Sequence, residues 1–109
     1  MRKPSCVLTL SVQYGTANDG LPSRQRLRSW AKSALLTDAQ VTLRLVGGRE
    51  GRSINRDFRG KDYATNVLTF AYHGTTPLSG DIVLCAPVIA RQARAQRKSV
   101  DAHYAHMVV

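Results

Sequence analysis

Acidic residues are scarce in this sequence. Seven Asp and Glu stand against sixteen Lys and Arg, a formal charge of +9 with an isoelectric point near 10.4. Such a balance favours contact with polyanions, so RNA, DNA and an anionic membrane surface are the partner classes to weigh. No segment pairs a large apolar face with a basic flank in the manner of a membrane-surface helix, which puts nucleic acid first. Long hydrophobic runs are also missing; none approaches the roughly 20 residues needed to span a bilayer. Cysteine is limited to Cys6 and Cys85. Both lie in apolar, strand-like runs where a thiol behaves as a small hydrophobe, and they are expected to stay reduced and to form no metal motif. Glycine (8) and proline (4) are too few for a fibrous or disordered chain. Repeats, linkers and low-complexity segments are absent. Met1-Arg2-Lys3-Pro4-Ser5-Cys6 has two basic residues but no small-residue cleavage site behind it, so the expectation is a cytoplasmic chain without a secretory leader.

What is present is a soluble-globular composition, 43% hydrophobic and 21% charged over 109 residues, enough for one domain over residues 1–109 with a single core. Period-2 alternation from Cys6 to Tyr14 predicts a strand whose Leu8, Leu10, Val12 and Tyr14 share an apolar face. Pro22 and Ser23 open a helix with Leu27, Trp30, Ala31, Ala34 and Leu35 inward and Arg24, Arg28 and Lys32 outward, ending at Thr37-Asp38. Val41 to Val46 is a second strand, so the first three elements form a βαβ unit with parallel strands. A second helix runs from about Glu50 to Arg59, with Ile54 and Phe58 as its apolar pair and Gly60 as its stop. Thr65 to Phe70 and Gly80 to Cys85 are expected to pair antiparallel at an edge. Pro87 begins a helix over Val88 to Lys98, with Val88, Ile89, Gln92 and Ala93 inward and Arg91, Arg94, Arg97 and Lys98 outward. Ser99 caps a last helix with Asp101 in its first turn, and the pattern looks interrupted at Met107-Val108-Val109. The fold class is α/β (α+β mixed): a four-stranded mixed sheet, three parallel strands plus an antiparallel edge, packed with helices.

The stretch from Phe58 to Phe70 holds charge at a helix-to-strand junction, and in open α/β sheets such junctions are where ligands bind. Arg59 there suits a phosphate, because a guanidinium grips two oxygens at once; it equally suits the dipole at the end of a helix. Lys61 and Asp62 either steer RNA and order the loop, Lys61 by a phosphate contact, or form a solvated turn. Thr65 and Asn66 either line a cleft or cap the turn into the strand. Asp81 is tempting as a general base, although it also fits a strand-start residue bonded to backbone. His103 and His106 share a helical side and make at most a weak metal site, with support of a ligand from outside the metal shell the better use. His73, alone in a loop, carries no role.

Phe58-Arg59-Gly60-Lys61-Asp62, Thr65-Asn66-Val67-Leu68-Thr69-Phe70, Gly80-Asp81-Ile82-Val83, Gln92-Ala93 and His103-Tyr104-Ala105-His106-Met107-Val108-Val109 resemble, in order and spacing, the YbeY family of bacterial rRNA maturation factors. Departures are small: Thr69 where Ser is usual, Ala71 where Pro often follows the Phe, and Ser79 where Leu often precedes Gly-Asp. The resemblance implies a single-strand-specific, metal-dependent endoribonuclease acting at the 3′ end of 16S rRNA and in ribosome quality control. Single-stranded RNA or rRNA and the ribosome or small-subunit proteins would be its partners. It implies Arg59 as the catalytic, phosphate-holding residue; on our reading RNA would then lie along a groove of Arg59 and Lys61 with Thr65 and Asn66 as further contacts and Arg44, Arg56 and the Arg91 to Lys98 helix as outer ones. The family's one zinc ion is held by three histidines in the pattern His-Gly-x-x-His-x-x-Gly-x-Asp-His, which would begin after Val109. Without those ligands the chain is expected to be inactive by itself, and a non-catalytic RNA- or ribosome-binding module is the alternative.

Overall fold

The computed structural model describes residues 7–17, 20–34, 38–72 and 78–108. Eight elements follow one another: β1 (Leu8–Tyr14), α1 (Arg24–Ser33), β2 (Ala39–Val46), α2 (Gly48–Arg59), β3 (Val67–Tyr72), β4 (Leu78–Cys85), α3 (Ala86–Ala95) and α4 (Val100–Val108). The sheet runs β1-β2-β4-β3. β1, β2 and β4 are parallel, with Tyr14 beside Leu45 and Val46 beside Cys85, while β3 is the antiparallel edge, with Val67 beside Leu84. The mixed α/β sheet expected from the alternation is thus the sheet observed.

Alternation sends successive side chains to opposite faces. One face packs under α1, α3 and α4 around Leu27, Leu43, Leu45, Leu84, Ile89 and Tyr104. Ser23 starts α1 by accepting from the Arg26 backbone N–H at 3.2 Å, and an exposed Arg26–Asp101 ion pair ties α1 to α4. Among the described residues the other face carries α2 over Val46, Leu68, Val83 and Cys85, with Val88 of α3 packed at one end. Here Gly51 is required by a close approach: a Cβ on it would meet Cys85 Sγ at 2.9 Å. One helix cannot roof four strands. The rest of this face is an open groove of about 390 Å³ bounded by Thr9, Ser11, Gln40, Thr42, Tyr72 and Asp81.

Several expectations are corrected. Phe58 lies on the same stripe of α2 as Gly51 and Ile54, but the helix's last turn overhangs the sheet edge, so the residue is 69% exposed, its ring set edge-to-face on Phe70 at 5.4 Å. The buried positions of α2 are instead Gly51 and Asn55. Ala34 is exposed, because the helix closes there with its N–H on the carbonyls of Ala31 and Lys32. β3 starts at Val67, two residues later than expected, and runs on to Tyr72. α3 ends at Ala95, short of Lys98: Arg97 adopts φ +55°, its N–H reaches Arg94 O and the Lys98 N–H reaches Ala93 O, a Schellman closure with arginine in glycine's usual place. Cys6, Leu35, Thr37, His73 and Val109, which carried sequence expectations, lie outside the described residues.

Candidate nucleic-acid interface

The C-terminal ends of β1, β2 and β4 meet the start of β3 along one edge of the sheet, and the loop of residues 60–66 crosses that edge. Its course is set by a series of tethers. Gly60, at φ +68°, reverses the chain, with its N–H on Arg56 O and the Lys61 N–H on Asn55 O. Asn55, only 3% exposed, donates from Nδ2 to Tyr63 O at 2.7 Å. Arg52 grips Asp62 with two parallel bonds of 2.8 and 2.9 Å, which hold the Asp62 carboxyl below the usual carboxylate range and push the Arg52 guanidinium up. At the loop's end, Asn66 O accepts from the Cys85 N–H at 2.9 Å.

These tethers separate the residues that sequence reasoning grouped together. Arg59 and Lys61, on either side of Gly60, are exposed, and Arg59 Nη2 donates to Thr69 O on the edge strand at 3.4 Å. Thr65 is half-buried. Asn66 is spent within the protein: Oδ1 accepts from the Val67 N–H at 2.7 Å and Nδ2 donates to Gln92 Oε1 at 3.1 Å. The same Gln92 oxygen accepts from His103 Nε2 at 3.0 Å, which fixes the proton on that nitrogen. His103 is 2% exposed, and burial, with Lys98 and His106 nearby, lowers its pKa and keeps it neutral. Its Nδ1 finds no hydrogen-bond partner among the described residues. His106 is exposed and stacks on His103 at 6.4 Å. Arg44 is engaged by Glu50 through bonds of 2.6 and 2.9 Å. Arg56, Arg91, Arg94 and Arg97 are exposed. Asp81 lies inside β4, not at its start, and in place of the expected backbone bond its carboxylate accepts from the Tyr72 hydroxyl at 2.5 Å, which raises the Tyr72 pKa.

Asn55 and the Asn66–Gln92–His103 chain escaped the sequence. Asn55 did leave a signal: a poor helix former four residues after Gly51 on the apolar stripe is a polar group with a buried task. Among the described residues, no group of three or more His, Cys, Asp or Glu is placed to hold a metal ion, and no helix is long and apolar enough to cross a membrane.

Arg59, at the end of α2, and Lys61, on the tethered loop next to it, are thus exposed cations at the strand ends, where an anion can be met. A family model described as Endoribonuclease YbeY matches residues 20–109. Endoribonuclease YbeY of Cupriavidus metallidurans is 55% identical over 107 residues, covering 94% of this chain and 54% of that protein. Its counterpart in Methylobacillus flagellatus is 52% identical over 102 residues, covering 94% of this chain and 68% of its own. The chain therefore spans roughly half to two thirds of the length of these relatives. The solution structure of TM1509 from Thermotoga maritima superimposes with a TM-score of 0.65 at 24% identity, over 92% of this chain and 67% of that one, a likeness of fold alone. With the family model matched over most of its length and half its residues shared with these relatives, the chain belongs to the YbeY family.

Proposed function

We propose that this chain supplies the RNA-holding part of an endoribonuclease, with Arg59 gripping the phosphate at the cleavage point. The observation that carries the reading is the placement of Arg59: the last residue of α2, exposed, and held among the described residues by one long bond to the β3 edge. A planar fork in that position can take two phosphate oxygens and offset charge as it develops. Lys61 adds a point charge next to it. Asn66 acts by holding the loop, since its amide is already bonded to Val67 and Gln92, and Thr65, half-buried beside it, lines the cleft. The resemblance of the Phe58 to Phe70 and Gly80 to Val83 blocks supports single-stranded ribosomal RNA as the substrate, the cytoplasm as the compartment, and the ribosome or its small-subunit proteins as partners. The implied zinc belongs to the proposal only as a group held outside the described residues, which do not form a ligand set for it.

The test is Arg59→Ala in the full-length form. Cleavage of single-stranded RNA should be abolished while the thermal transition stays in place, because the side chain is exposed. Undiminished cleavage would overturn the assignment.

A further inference from the structure

Beside Arg59 the bare part of the α2 face deepens into a pocket of about 340 Å³ lined by Ile54, Phe58, Phe70, Tyr72, Asp81 and Val83. One of its rings, Phe58, is 69% exposed. Aromatic surface left open on a chain of charge +9, next to an exposed arginine, is the combination that single-stranded nucleic acid exploits: phosphates meet the cation and bases stack on the rings. One wall differs from the rest. Asp81 carries a carboxylate whose Oδ2 takes the Tyr72 hydroxyl, leaving further acceptor sites and no donor.

We propose that this pocket holds one unpaired base of the strand whose phosphate Arg59 grips, and that Asp81 favours amino-bearing bases over uracil. The inference rests on the RNA-binding reading above and adds a base subsite to it. An amino group on cytosine, adenine or guanine donates to a carboxylate. Uracil offers a single N–H flanked by two carbonyl oxygens, which a carboxylate repels. Stacking on Phe58 supplies affinity independent of sequence, and Asp81 supplies the discrimination.

Fluorescence anisotropy with the full chain and labelled oligocytidylate and oligouridylate of about eight nucleotides tests this, over a series of salt concentrations. Oligocytidylate should bind more tightly than oligouridylate. Phe58→Ala should weaken oligocytidylate roughly tenfold with the salt slope unchanged, because a stacking contact releases no counterions. Arg59→Ala should instead lower the slope by about 0.7, the share of one phosphate on a single strand. Asp81→Asn, which still accepts from Tyr72 and gains a donor, should narrow the preference for cytosine. If the wild-type chain binds neither oligomer, the RNA-binding reading fails, and the subsite with it. If it binds and Arg59→Ala lowers the slope, but Phe58→Ala leaves affinity intact, the subsite alone is overturned. A Phe58→Ala chain that turns from dimer to monomer with unaltered RNA affinity overturns it too, in favour of a second copy seated on the pocket.

Discussion

Asn55→Ala is the sharpest probe of how the fold holds the RNA loop. The side chain is 97% removed from solvent by its 3% exposure, and its one amide bond, 2.7 Å to Tyr63 O, is the buried tether between α2 and the segment carrying Lys61. Removing the donor leaves a carbonyl unsatisfied, at a cost of about 1–3 kcal/mol, and opens a small void besides. Of the other side-chain tethers, Asn66 holds only the far end of the loop, and the Arg52–Asp62 fork is more than half exposed and compensates little. A total near 2.5 kcal/mol, set against the unfolding entropy of 109 residues, lowers Tm by about 10 °C. Asn55→Asp should be worse near neutral pH, where a carboxylate would face the Tyr63 carbonyl. Buried there, its pKa rises, so its penalty grows as pH climbs from the ordinary carboxylate value towards the raised one; at about pH 4 the protonated acid can again donate and part of the loss returns. Circular dichroism melts at both pH values decide it. An Asn55→Ala chain that melts with the wild type, or an Asn55→Asp chain unaffected by pH, would refute the reasoning.

Gly51→Ala sets a helix-propensity gain of about 1 kcal/mol against a Cβ placed 2.9 Å from Cys85 Sγ, an overpacking cost of about 1–3 kcal/mol. Net destabilisation is expected, and a urea-melt double-mutant cycle with Cys85→Ala should show that the smaller partner recovers part of it. Arg97→Gly relieves a side chain held at φ +55° and should stabilise by about 0.5–1 kcal/mol after the extra freedom glycine gives the unfolded chain, read as a rise in Tm. His103 has its pKa lowered by burial below 6.5, so the unfolded state takes up a proton first as pH falls. Stability should therefore decline below about pH 6.5, towards the lowered folded value, and urea midpoints at about pH 7.5 and pH 5 should differ less in His103→Gln than in the wild type.

Strand alternation made the sheet legible before any coordinates. The period-2 runs in β1 and β2 face a packed core, and burial on one side is what writes that pattern. Side-chain capping at Ser23 and Ser99 and the glycine stop at Gly60 were legible because specific side chains perform those tasks. The end of α3 was not, since Arg97 has no business at a left-handed position and only the closure of backbone bonds around it puts it there. Phe58 misled for a related reason: helical spacing tells which stripe a residue is on, but not where the sheet beneath that stripe runs out. In the candidate interface, residue types announced Arg59, whereas Asn55, Gln92 and His103 act through partners 8 to 26 residues away, and no local pattern records such a pairing.

The contact between Gly51 and Cys85 turns the thiol into a clock. Cys85 is 1% exposed, and burial raises its pKa, so neither access nor ionisation lets an alkylating reagent reach it while α2 lies on β4. Labelling at that sulfur waits for the helix to lift or for the whole chain to open, and where reclosing is fast the rate reports the open fraction. Mass-resolved alkylation of the Cys85 peptide thus measures, without any added probe, how often the helix that carries Arg59 leaves the sheet.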